Sequence, residues 1–119
     1  MEIKKYVLKT ESGKVVAENM RIATTMLERM KGLMFSEELP DCDAFLIKPC
    51  NSVHTFFMLY PLDVLFLDGE FRVIKSIRNL KPWRMTWMYL NASQVLEMKA
   101  GTLISELSVG DKLEVVCLN

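Results

Sequence analysis

At 119 residues, the chain has the length of one domain and can bury a core without disulfides or metals. Half of its residues are apolar and a quarter are charged, which is the balance of a folded protein rather than a disordered one. Fifteen basic residues match fifteen acidic ones, and this neutrality disfavours a dedicated nucleic-acid-binding protein. We therefore predict one domain over residues 1–119.

Signals for membrane insertion or secretion are not found in the sequence. No window approaches the ~20 apolar residues of a membrane span, and the first ten residues lack the apolar core of a signal peptide. The three cysteines, Cys42, Cys50 and Cys117, show no CxxC spacing, which favours reduced thiols. These features predict a soluble cytoplasmic protein that makes no contact with a membrane.

The first part of the chain predicts a hairpin followed by a helix. Residues 3–8 and 15–18 are rich in β-formers and flank a polar turn. Apolar residues then recur at helical spacing as far as Met34, behind Thr25 and Glu28 at the spacing of a capping box. The period of the pattern thus changes from strand to helix.

Short apolar runs, typical of strands, dominate the rest of the chain. They cover residues 44–47, 53–59, 62–67, 71–77, 94–98 and 112–116. Asp68 and Gly69 tolerate positive φ and predict a type I′ hairpin turn between two of these runs. Leu103 and Leu107, on one side of residues 102–107, predict a second helix. The predicted fold is mainly β (α+β), a single compact, barrel-like curled sheet with two short helices.

Five motifs occur in a distinctive order along nearly the whole chain. They are RMKGLM at 29–34, NSVHTFFM at 51–58, YPLDVLFLD at 60–68, VLE at 95–97 with AGT at 100–102, and GD at 110–111. In this combination the chain resembles the prokaryotic family known as domain of unknown function 192 (DUF192). The resemblance implies one β-rich, barrel-like domain with short helices, and it implies no particular reaction. The chain is similar to the branch with Cys50, His54, Thr55 and Met58 in this region, but has Leu59 where that branch commonly has a basic residue.

Cys50 and the chain's single histidine, His54, permit three interpretations. With Met58 they form a C-x₃-H-x₃-M pattern of soft ligands, which suits Cu(I) better than Zn²⁺. As a catalytic set, Cys50 is the nucleophile, His54 its base, and Asp63 the residue that orients the imidazole. In the third interpretation Cys50 is a buried thiol beside a hydrogen-bonded histidine. The pattern lacks a third strong metal ligand, so we predict no cofactor. No glycine-rich oxyanion loop follows Cys50, which disfavours the catalytic interpretation.

Asp63 interrupts an otherwise apolar run at residues 62–67. A buried carboxylate needs partners, so Asp63 must accept hydrogen bonds from backbone N–H groups or pair with an arginine or with His54. The first arrangement makes it a clamp at a turn or bulge, and the second makes it an acceptor in a ligand pocket. The sequence leaves both open.

Two tryptophans, Trp83 and Trp87, alternate with basic residues in the segment KSIRNLKPWRMTW. The basic residues are Lys75, Arg78, Lys81 and Arg84. Exposed indoles beside arginine form the best candidate surface for a nucleotide, glycan or acidic peptide. The alternative is that one tryptophan closes the barrel and the charges are simply solvated. The exposure of Trp83 decides between the two.

Three functions follow from these residues. The first is a non-enzymatic binding module for a small polar or anionic ligand or a protein partner, acting as a monomer or weak dimer. Its predicted site residues are Asn51, His54, Thr55, Asp63, Trp83 and Arg84. The second is an enzyme that uses Cys50 and His54. The third is an interaction domain, which would expose an apolar patch of methionine and tryptophan.

Overall fold

The computed structural model describes residues 5–24 and 42–118. They form the strands β1 (Tyr6–Thr10), β2 (Val15–Ala23), β3 (Ala44–Ile47), β4 (Leu62–Leu67), β5 (Val73–Leu80), β6 (Gln94–Lys99) and β7 (Leu113–Cys117). No helix occurs among these residues, and hence none that is long and apolar enough to cross a membrane. The helix predicted between Thr25 and Met34 lies outside the described residues. The helix predicted at 102–107 is wrong, because side chains of β4 and β5 bind the backbone of this segment and it forms turns.

The seven strands form one curled sheet in the order β5-β4-β6-β3-β2-β1-β7. Adjacent strands in the sheet are antiparallel, except for β2 and β3, which run parallel. The two outermost strands meet at one end, where Arg72 and Lys112 form an antiparallel bridge. There the Val73 N–H also donates to the carbonyl of Asp111 at 2.8 Å. The fold is therefore a half-barrel, mainly β as predicted.

The hairpins β1–β2 and β4–β5 use the same kind of turn. In each turn, a residue with positive φ donates its N–H to the carbonyl three residues earlier. Gly13, with φ of +95°, donates to Thr10, and Phe71, with φ of +66°, donates to Asp68. A type I turn followed by such a residue and a bulge is common in hairpins. The predicted hairpin at Asp68 is thus confirmed, but the positive φ falls on Phe71. The Asp68 carboxylate instead accepts the N–H groups of Glu70 and Arg72.

The sheet is covered on both faces. An inner cluster takes apolar residues from all seven strands, including Leu65 and Leu96, as expected for the hollow of a curled sheet. An outer cluster takes the alternate positions of β3, β4 and β6, such as Phe45 and Phe66. Because successive side chains point to opposite faces, burial of both faces explains why these strands are mostly apolar.

Two irregular segments cover the outer face. Residues 48–61 and 81–92 lie side by side on the sheet, and we call them the paired loops. Val53, Met58 and Tyr60 from the first and Ala92 from the second are buried in the outer cluster. The strand predicted at 53–59 is wrong: apart from one bridge residue at His54 this stretch is irregular, since the turn at Phe57, with φ of +66°, interrupts the extended backbone.

Candidate functional site: the paired loops

The paired loops are held together by their own backbones. The Thr55 N–H donates to the Arg84 carbonyl at 2.8 Å, and the Trp83 N–H donates to the Thr55 carbonyl at 3.0 Å. Further along, the N–H of Thr86 donates to Val53 and that of Tyr89 to Asn51, each at 2.9 Å. A bridge between His54 and Met85 lies within this ladder. The two loops are therefore joined mainly through their backbones.

Thr55 fixes the turn that carries Trp83. Its side chain is fully buried, and its hydroxyl donates to the Lys81 carbonyl at 2.6 Å while accepting the Arg84 N–H at 2.9 Å. Thr86 acts similarly at the next rung, since its Oγ1 accepts the Val53 N–H at 3.0 Å. These two hydroxyls satisfy backbone groups that the irregular chain leaves unpaired.

Large apolar side chains project from the outside of the paired loops. They are Phe57, Leu59, Trp83, Met85, Trp87, Met88 and Leu90, and we call them the loop surface. Trp83 is 56% exposed, Trp87 83% and Leu90 81%. The two tryptophans thus do not close the barrel. The largest apolar patch on a typical monomer measures about 300–600 Å². One exposed tryptophan or leucine side chain already supplies a large part of such an area.

Four aromatic rings of the paired loops contact one another in a chain. His54 lies on Phe56 with ring centroids 4.8 Å apart, and Phe56 lies on Trp83 at 5.8 Å. Phe57 meets Trp83 edge to face at 4.8 Å. Phe57 and Trp83 both have positive φ, 66° and 63°, a backbone conformation that costs residues other than glycine about 1–3 kcal/mol. Phe57 and Trp83, whose rings are exposed, thus both lie on strained backbone.

The two stretches of sequence that include the paired loops carry charge of one sign. Residues 71–96 include Arg72, Lys75, Arg78, Lys81 and Arg84 but neither aspartate nor glutamate. Residues 48–61 likewise contain Lys48 and His54 and no acidic residue. Since the whole chain has 15 acidic and 15 basic residues, its charges are segregated. The paired loops therefore form a cationic and apolar region on a neutral protein.

The structure places Cys50 at the edge of the outer cluster and His54 in the aromatic stack. The Cys50 thiol donates to the Ser52 carbonyl at 3.0 Å, and the Phe56 N–H approaches Nδ1 of His54 at 3.4 Å. Met58 is buried among core residues. Within residues 5–24 and 42–118, no group of three or more His, Cys, Asp or Glu side chains is arranged to hold a metal ion. The soft-metal set of Cys50, His54 and Met58 and the catalytic set of Cys50, His54 and Asp63 both stay predictions.

Asp63 occupies the opposite face of β4 from its neighbours Leu62 and Val64. It is 2% exposed, and its carboxylate accepts the N–H groups of Asn79 and Gly101 at 2.9 Å and of Leu103 at 3.2 Å. This is the backbone clamp, one of the two arrangements that the sequence left open. Asp63 also lines a cavity of about 390 Å³ beside Arg78. The three hydrogen bonds give Asp63 a structural role, and its role as an acceptor for a ligand stays a prediction.

The predicted ligand-binding residues are thus divided. His54, Thr55, Trp83 and Arg84 lie together in the ladder of the paired loops, although Thr55 is buried within it. Asn51 enters the same ladder further along through its carbonyl. The sequence prediction missed Phe57, Leu59, Met85, Met88 and Leu90. One feature of the sequence could have pointed to them. Residues 71–96 contain no acidic residue, and within this run the apolar residues at 81–92 follow neither the helical nor the strand period.

This fold and surface define a class of small half-barrel proteins without an assigned reaction. The model of the DUF192 family, described as "Uncharacterized ACR", matches residues 7–115. The chain belongs to this family, which confirms the resemblance that the motifs indicated.

Relatives and solved structures agree with this membership. A UPF0127 protein of Pyrococcus horikoshii is 37% identical over 100 residues, which cover 79% of this chain and 84% of the relative. Another, of Pyrococcus furiosus, is 33% identical over 115 residues, covering 91% and 96%. The crystal structure of a protein of unknown function from Novosphingobium aromaticivorans is 26% identical, covers 92% of this chain and 83% of that one, and has a TM-score of 0.73. None of these names specifies a reaction, so a function must be inferred from the surface.

Proposed function

We propose that this protein is a non-enzymatic binding module whose binding site is the loop surface. The observation that carries the proposal is the exposure of seven large apolar side chains on two adjoining loops, Trp87 at 83% among them. A soluble monomer rarely exposes so many together, and such patches usually mark the site of an interaction.

The energetics of the loop surface favour a covered state. Removing apolar area from water yields about 25 cal/mol per Å², so covering roughly 500 Å² corresponds to about 12 kcal/mol before the costs of association. Within residues 5–24 and 42–118, the ladder and the Thr55 hydroxyl hold the loops through backbone groups and not through these apolar side chains. The apolar side chains are therefore available for a partner.

The charges around the loop surface restrict the partner's chemistry. Lys81 and Arg84 lie within two residues of Trp83 in the chain, both are exposed, and no acidic residue occurs in either loop. A partner that covers the apolar side chains must come close to these cations, so negative charge on the partner is favoured. The proposed ligand class is therefore anionic with an apolar face, whether it is a small molecule or part of something larger.

An anionic apolar dye, anilinonaphthalene sulfonate, tests this proposal on the native full chain. Both tryptophans of the chain lie on the loop surface, so a dye bound there should quench their emission by energy transfer. We expect saturable binding to the native protein. The triple variant Trp87→Ser, Met88→Ser, Leu90→Ser should lose it, while circular dichroism shows the fold unchanged.

The matched control is Val109→Ser. Val109 is 72% exposed but lies in the turn before β7, outside the loop surface. This variant should bind the dye as the native protein does. If the native protein binds no dye, or if the triple variant binds it equally well, the loop surface is not a binding site and the proposal fails.

A further inference from the structure

We infer that the partner of the loop surface is a bilayer surface that contains anionic lipids. This inference rests on the proposed function and specifies its ligand. The proposed contact is peripheral, at the surface of the bilayer. The sequence analysis predicted no membrane contact because the chain has no apolar window long enough to span a bilayer, and peripheral binding needs no such window. The apolar residues of the loop surface come from two separate stretches, so no single window of sequence brings them together.

The first argument is the kind of side chain. Leu59, Met85, Met88 and Leu90 carry no group that could bond to a polar partner, and each is more than half exposed. Trp83 and Trp87 stand beside them, and tryptophan is enriched where hydrocarbon meets lipid headgroups. Nucleic acid offers flat bases and phosphates, which suit aromatic and cationic side chains but not these four. A hydrocarbon layer accepts all six.

The second argument is the state of the backbone. Unpaired N–H and C=O groups are costly in a lipid environment, so irregular loops seldom enter it. In the paired loops, Trp83, Thr55, Thr86 and Tyr89 donate their N–H groups across the ladder. The hydroxyl of Thr55 donates to the Lys81 carbonyl at 2.6 Å. This pairing lowers the cost of bringing the outer side of the loops into contact with the acyl region.

The third argument is charge. Lys81 and Arg84 are exposed on either side of Trp83, and no acidic residue occurs within 48–61 or 71–96. Such cations gain attraction from anionic headgroups. A second copy of this chain is a poorer partner, because a twofold contact would bring the cations of both copies to one interface. The sign of the charge therefore favours an anionic bilayer over self-association.

Vesicles test the inference with the native full chain. One set contains phosphatidylcholine alone, and the other replaces about a third of it with phosphatidylglycerol. We expect sedimentation with the anionic vesicles, a blue shift of tryptophan emission, and quenching by brominated acyl chains. Binding to phosphatidylcholine alone should be weaker, and added salt should weaken the binding to anionic vesicles.

Two sets of variants assign the binding to this surface. Lys81→Gln with Arg84→Gln should lower the partition coefficient for anionic vesicles about twenty-five-fold, at roughly fivefold per cation. Trp87→Ser with Leu90→Ser should lower it more than roughly tenfold on both kinds of vesicle. Val109→Ser should leave it unchanged, and Lys112→Gln, a substitution outside the paired loops, should reduce it less than either cation of the surface.

The outcomes separate this inference from the proposed function. If the dye binds to the loop surface but anionic vesicles do not, the membrane inference fails and the binding module stands. Vesicle binding that is insensitive to both double variants would also overturn it. So would a concentration-dependent dimer that buries the tryptophans, or a blue shift produced by an oligonucleotide or polyglutamate but not by vesicles.

Discussion

Two irregular parts of the molecule use opposite means of attachment to the same sheet. Residues 100–104, which we call the clamped segment, are held by charged side chains: Asp63 accepts the N–H groups of Gly101 and Leu103, and Arg78 donates to the carbonyls of Leu103 and Ile104. The paired loops are held by backbone-to-backbone hydrogen bonds and two threonine hydroxyls.

This difference teaches where a binding surface can lie. In the clamped segment the charged groups that could recognise a ligand are already occupied by the protein's backbone. In the paired loops the backbone satisfies itself, which leaves the side chains of Trp83, Trp87 and Leu90 outside. Asp63, a candidate pocket acceptor in the sequence, holds backbone N–H groups, and bulky apolar residues form the candidate surface.

The largest effect is expected from breaking the clamp. Asp63→Ala leaves three N–H groups, that of Leu103 buried and those of Asn79 and Gly101 part-buried, without their acceptor. We expect a loss of about 3–5 kcal/mol in the free energy of unfolding, measured by urea denaturation. Asp111→Ala is the control: its exposed carboxylate accepts the Ser108 N–H, and about 1 kcal/mol should be lost. Equal losses in the two variants would show that the clamp is not special.

A smaller effect is expected from the hydroxyl that fixes the paired loops. Thr55→Val keeps the shape of a fully buried side chain but removes its hydrogen bonds to Lys81 and Arg84. The expected cost is about 2 kcal/mol, with faster hydrogen exchange at the amides of Trp83 and Arg84. Thr102→Val, which removes an exposed bond to the Lys99 carbonyl, should leave those two amides unchanged. Unchanged exchange in Thr55→Val would mean that the ladder alone holds the loops.

The loop surface itself should contribute little to folding. Trp87→Ser removes a side chain that is 83% exposed, so the free energy of unfolding should change by no more than about 0.5 kcal/mol. Chemical denaturation followed by circular dichroism measures this. A loss comparable to that in Asp63→Ala would mean that Trp87 is part of the core, and the contrast between the two regions would disappear.

The smallest effect concerns an ion pair outside both regions. A hydrogen bond from Lys14, 2.6 Å away, lowers the pKa of the Glu106 carboxyl below its ordinary value. A carboxyl with a lowered pKa in the folded state stabilises the fold above its unfolded-state pKa, and this contribution is lost as the pH falls through the folded-state pKa. Because both side chains are exposed, Glu106→Gln should barely alter the acid unfolding midpoint. A clear shift of the acid unfolding midpoint would show that the ion pair contributes more to stability than its exposure indicates.

Much of the fold was predictable where both sides of a strand are buried. The bounds of β3 and β4 match the predicted runs at 44–47 and 62–67, because continuous apolar residues specify such strands regardless of their neighbours. The failures lie where neighbours decide. Residues 102–107 have a helical pattern, yet Asp63 and Arg78 bind their backbone into turns. Residues 53–59 have a strand pattern, yet they pair with another loop and bear the strained Phe57.

The sequence by itself determined the family, the mainly β class, and the need for buried Asp63 to find hydrogen-bond donors, because these follow from motif order, apolar patterning and the cost of burying a charge. Only the tertiary structure decided which way the apolar residues of the paired loops point. In an irregular segment no fixed period relates side chains to a face, so the direction depends on the neighbouring backbone with which it pairs. That pairing directs Val53 and Met58 inward and Trp83 and Trp87 outward.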